Sequence, residues 1–92
     1  MNKIIEPGVP YKRFDKPVKV DVVIDGRNLT AVVSGEYDLP INFAYQVDFS
    51  DGFEAMFADY EGGWWAEHRR GGKPYAEAIK PTLDKLRGES RR

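Results

Sequence analysis

The chain contains no cysteine, which excludes a disulfide scaffold and a zinc–thiolate centre. It has one histidine, His68, so any acid–base pair or metal site would have to combine a single imidazole with carboxylates. No stretch approaches the roughly 18 consecutive apolar residues of a membrane span. The opening residues MNKIIEPGVP lack the apolar core of a signal peptide, so a soluble, cytoplasmic protein with no membrane contact is expected. There is no internal repeat, low-complexity tract or interior linker. The Gly-x4-Gly-Lys-Ser/Thr order of a phosphate-binding loop is absent, and none of Ser34, Ser50 and Ser90 lies in a nucleophile-elbow pattern. Nothing calls for a cofactor or a metal, and no residue is assigned a catalytic role.

What is present is a chain of 92 residues with plentiful aromatics, enough for one domain with a modest core. The net charge of −1 conceals a division. Residues 1–35 sum to +2, residues 36–67 carry eight acids and no Lys or Arg, and residues 68–92 sum to +5. Such blocks usually attract one another or form separate solvated faces. An acidic surface can also steer a basic partner.

Pro7, Pro10 and Pro17 oppose helix, and residues 1–16 read as an irregular N-terminal arm. A single α+β domain follows over 17–88, and 89–92 form a polar tail. Val18, Val20, Val22 and Ile24 alternate with polar residues, which predicts a strand. Asp25-Gly26 is turn chemistry, and Leu29, Ala31 and Val33 return on the same face. Phe43, Tyr45, Val47 and Phe49 form the clearest alternating strand. The Asp51-Gly52 pair alone suggests a two-residue turn, but that register would place Phe53 and Phe57 on the polar face. A three-residue loop with Gly52 left-handed pairs Phe49 with Phe53, Val47 with Ala55 and Tyr45 with Phe57, and the apolar pattern selects it. A short fifth strand can begin at Trp64. Pro74 suits the first turn of a helix whose stripe is Tyr75, Ile79, Leu83 and Leu86, with Pro81 kinking or splitting it and Gly88 ending it. The expected architecture is an antiparallel meander of four to five strands with one Pro-kinked C-terminal helix packed on one face.

The sheet face away from the helix is predicted to carry Ala44, Met56, Ala58, Tyr60 and one of the adjacent tryptophans Trp64 and Trp65, since alternation cannot bury both. This aromatic and Met-containing patch has the composition of an interface. Asp48 falls opposite Glu54, an unfavourable like-charge pair suited to a basic ligand. The partner-binding candidates are therefore Asp48, Asp51, Glu54, Met56, Tyr60, Glu61, Trp64 and Trp65. They point to a small non-enzymatic interaction domain (an adaptor, accessory subunit or inhibitor) that binds a protein partner or a second copy of itself. "RRGGKPY" offers a second reading, with Arg69, Arg70 and Lys73 near a helix N-terminus as a possible anion site for phosphate or nucleic acid. Two facts oppose it: glycines commonly serve turns, and the acidic strands would repel a polyanion. The unguarded Trp-Trp-Ala-Glu segment could itself pair with another strand.

Overall fold

The computed structural model describes residues 11–38, 43–60, 62–67 and 69–90. Expectations placed on residues 1–10, Glu61, His68 and the last two residues lie outside the described residues. Five strands follow in chain order: β1 (Tyr11–Ile24), β2 (Arg27–Asp38), β3 (Phe43–Phe49), β4 (Glu54–Tyr60) and β5 (Gly63–Ala66). They form one antiparallel sheet in the spatial order of the sequence, and the helix α1 (Lys73–Ser90) closes one face.

The same dipeptide makes two different turns. Ile24 pairs with Arg27 across Asp25 and Gly26, at φ 52° and 77°, as in a two-residue turn whose twist matches its strands. Between β3 and β4 the loop is one residue longer. The Phe49 N–H donates to the Phe53 carbonyl at 2.8 Å, the Gly52 N–H donates to the Phe49 carbonyl at 3.0 Å, and Gly52 lies at φ 97°. Val47 then opposes Ala55, and Tyr45 opposes Phe57. A slip by one residue would turn Phe57 out of the core, so burial of the aromatic rings holds the longer loop.

Two irregularities escape the alternation. Val33 pairs with Val47 but Gly35 pairs with Gln46, so Ser34 is an extra residue in β2. Beyond that bulge the faces exchange, and Tyr37 lies on the outer face opposite Ala44. In β1 the register shifts between Arg13 and Val18, which takes Pro17 out of the ladder, where its missing N–H costs nothing. Residues 11–16 are thus strand rather than part of an irregular arm. A Cβ on Gly35 would stand 2.5 Å from the Lys12 carbonyl and from the Tyr11 hydroxyl, so glycine there admits the returning chain.

The core lies between the helix and the inner sheet face. Ile79 and Leu83 are fully buried, with Ala76 beside them, against Val33, Tyr45, Val47, Phe49, Phe57 and Trp64. Each large aliphatic side chain removed from water contributes about 1.5–3 kcal/mol. The helix is continuous through Pro81, whose exposed ring faces away from the core, so it is not split in two. It also continues through Gly88, which does not adopt positive φ and therefore cannot terminate it; the expected stop gives way to a helix reaching Ser90.

Candidate functional site

The tight turn into β5, with Gly62 at φ 80°, sets Asp59 opposite Trp64 and Ala58 opposite Trp65. Successive strand residues point to opposite faces, so this register separates the two indoles. Trp64 is 6% exposed and belongs to the core. Its Nε1–H donates to Asp84 at 2.8 Å, and its ring lies 5.7 Å from that of Tyr45. Asp84 also accepts from Lys80 at 2.9 Å and from Arg87 at 3.2 Å. Arg87 reaches across to Asp59 at 2.8 Å while its guanidinium sits 5.3 Å from the Trp64 ring centre. Lys80 first, and then the Trp64 N–H, hold the Asp84 carboxyl below its ordinary range; Asp59 raises Arg87. Trp64 and Asp59 therefore fasten the helix to the sheet, and Trp64 offers no surface to a partner.

Trp65 is 57% exposed and Tyr60 53%, with their rings edge to face at 6.1 Å. Together they form a projecting aromatic pair at the β5 edge of the outer face. The apolar patch expected beside them is smaller than its sequence positions imply. Ala44, Met56 and Ala58 are buried, with Tyr37 packed against them, so Met56 is not displayed. The Tyr37 hydroxyl donates to Gln46 at 3.2 Å, and the Gln46 amide donates to Asp48 at 2.9 Å. Burial pushes the Tyr37 phenol up. Asp48 and Glu54 are exposed and directly opposed on this face.

Asp51 has a different task. Its carboxylate accepts from the Tyr75 hydroxyl at 2.6 Å, the Phe53 N–H at 3.0 Å and Arg27 at 3.3 Å. These donors, Tyr75 foremost, lower its pKa. Asp51 ties the β3–β4 turn to the helix and to the start of β2, so the acidic block is partly consumed inside the fold.

The basic loop is likewise divided. Phe53 stacks on Tyr75 with centroids 4.0 Å apart and planes 9° off parallel, and the Arg69 guanidinium lies over the Phe53 ring, 4.8 Å from its centre. Gly71 adopts φ 72°. A Cβ on Gly72 would collide with the Ala66 Cβ and lie 3.3 Å from the Phe53 ring, and the Gly72 carbonyl accepts from the Ala76 N–H at 2.8 Å as the helix begins. Gly72 is thus required by its neighbours and Gly71 by its left-handed backbone. Arg69 and Lys73 do converge on a groove between β5 and the first half of α1, together with Lys80, whereas Arg70 is exposed elsewhere on the loop. The groove measures about 510 Å³, with Trp65 and Tyr60 on one side and Lys73, Glu77 and Lys80 on the other.

This groove and the Trp64–Asp84–Arg87–Asp59 network were not legible in the sequence. The spacing of Lys80, Asp84 and Arg87 does mark a helical charge cluster, but nothing in it points to Trp64. Among the described residues no three His, Asp or Glu side chains converge as a metal site, and no helix there is long and apolar enough to cross a membrane. Comparison of the chain with protein-family models, with curated proteins and with solved structures finds no match.

Proposed function

We propose that this chain is a small, non-enzymatic protein-binding domain of the cytoplasm that engages its partner through the β4–β5 side of the outer sheet face. Trp65 and Tyr60 are the anchors, and Asp48 with Glu54 supplies a negative field that steers a basic region of the partner. The observation that carries this reading is the exposed, mutually packed Tyr60–Trp65 pair. Rigid aromatic rings held at a surface dominate interface energetics because they bury large area at little entropic cost. The test is quantitative affinity capture from the native host, comparing the wild-type chain with Trp65→Ala and Tyr60→Ala. Partners should fall away from both variants while the fold, followed by circular dichroism, is retained. Unchanged capture by Trp65→Ala would sink the proposal. Asp48→Lys with Glu54→Lys should slow association with the same partners, most visibly at low salt.

The nucleic-acid or phosphate reading draws on one observation, the convergence of Arg69, Lys73 and Lys80 on a single groove. It requires salt-dependent oligonucleotide binding that Arg69→Ala with Lys73→Ala abolishes, and a low-salt titration without binding disposes of it.

A further inference from the structure

The phase of the β4–β5 ladder determines what the edge of the sheet offers. Glu67 donates its N–H to the Met56 carbonyl at 2.8 Å, which marks these two as a hydrogen-bonded pair. Bonded and non-bonded pairs alternate along an antiparallel ladder. Ala58–Trp65 and Tyr60–Gly63 are therefore bonded pairs, while Phe57–Ala66 and Asp59–Trp64 are not. The N–H and C=O groups of Trp64 and Ala66 consequently point away from β4. Since β5 is the last strand of the sheet among the described residues, they point at an edge that no described strand covers. That edge borders the groove described above, whose far wall is one stripe of the helix: Lys73, Glu77 and Lys80.

We infer that this groove receives an acidic, extended segment of the partner protein, which adds to β5 as a further strand by bonding to the outward backbone groups of Trp64 and Ala66. The inference rests on the protein-binding reading and names the partner's recognised element. Strand addition supplies affinity from main-chain bonds and specificity from alternate side chains. Lys73 and Lys80 stand two helical turns apart, roughly 10 Å along the axis. Residues on one face of a strand recur every ~6.7 Å, so acids four positions apart, ~13 Å, bracket the two lysines, whose long flexible side chains take up the difference of ~3 Å. Glu77 lies between the lysines and disfavours an acid at the intervening position. Side chains of the opposite parity run beside Trp65, where apolar residues fit. Lys73 makes no ion pair with a described residue, and Lys80 spends one of its three donors on Asp84. Charge complementarity thus selects an acidic occupant over a basic one.

The experiment is selection of a random octapeptide display library on the intact protein, followed by synthesis of the enriched peptides. Enrichment of Asp or Glu four positions apart, with a neutral or basic residue midway, is expected. Binding should protect the Trp64 and Ala66 amides from hydrogen exchange, fail when alternate peptide nitrogens are methylated, and weaken about tenfold or more in Lys73→Glu. Lys73 is exposed at the start of the helix, so that variant should fold, and its thermal melt is the control. Enriched peptides that are basic or uncharged, or that leave the Trp64 and Ala66 amides exchanging as before, overturn the inference. So does an oligonucleotide that binds the groove in place of any peptide, or a dimer that already protects both amides in the free protein. If host partners still depend on Trp65 while no acidic peptide is selected, the protein-binding reading stands and only this inference falls.

Discussion

The two edges of the sheet are built in opposite ways. β1 is 14 residues long, and an edge of that length is a template for unwanted pairing. It is interrupted by the register shift between Arg13 and Val18, carries Pro17 inside that irregularity, and directs Lys19 and Asp21 outward. Each device blocks a foreign strand: the bulge bends the edge, proline removes a donor, and charge resists desolvation. β5 is four residues long, Gly-Trp-Trp-Ala, with no proline and no charge. Its brevity limits non-specific pairing, and it borders the groove whose helix wall carries Lys73 and Lys80. The long edge is guarded by its own sequence, whereas the short edge carries no such device and runs beside the groove and the exposed Tyr60–Trp65 pair.

The largest effect that separates the edges should come from the tryptophans. Trp64→Ala removes a buried ring and leaves Asp84 without its indole donor, at a cost of about 3–5 kcal/mol. Trp65→Ala, on the exposed side of the same strand, should change stability by less than about 0.5 kcal/mol while removing partner binding. Denaturant melts of the two variants check this, and equal destabilisation would mean that β5 has no inner and outer side. Hydrogen exchange in Trp64→Ala should rise first in β5 and in the C-terminal half of α1, and last in the β1–β2 hairpin.

A smaller effect is expected at Asp84, which links β5 to the helix. Asp84→Ala strands the Trp64 N–H and takes one of two carboxylates from Arg87, costing about 1–2 kcal/mol. The pH dependence follows from the directions of the shifts. Asp84 and Asp51 both have lowered pKa values in the fold. Their contribution is therefore complete above the ordinary carboxylate range and fades as pH falls through the lowered folded values. Thermal melts of the wild type should decline on acidification, and the acid limb of Asp84→Ala should be shallower. An unchanged acid limb would show that Asp84 is not held by its partners.

The smallest effect on stability, within about 0.5 kcal/mol, is expected for Lys19→Val with Asp21→Val. Its consequence should be colloidal. Sedimentation should reveal self-association through β1 that the wild type lacks, and a monodisperse variant would show that the bulge alone guards this edge.

Much of the sheet could be read from periodicity. The choice between two turns at Asp51-Gly52 followed from asking which register buried Phe53 and Phe57, and the observed pairs are those of that register. The helix stripe at Tyr75, Ile79, Leu83 and Leu86 was legible for the same reason, a constant angular step per residue. Alternation broke down at Ser34 and between Arg13 and Val18, because a bulge adds a residue without altering the local apolar pattern. It also gave too large an outer patch, since position on a face does not determine exposure: Met56 and the two alanines are buried there.

The sequence by itself determined the regular part of the strands, their order, the turn chemistry and the rule that the two tryptophans must part. These are local properties of alternation, left-handed glycines and short loops. Only the tertiary structure decided which tryptophan enters the core, that Asp51 and Asp59 serve the fold, and that Lys73 and Lys80 share a groove with β5. The first two outcomes depend on contacts between residues 20 or more positions apart, such as Trp64 with Asp84 and Asp51 with Tyr75. No periodicity encodes such contacts, because they arise only when the helix settles along one face and one end of the sheet.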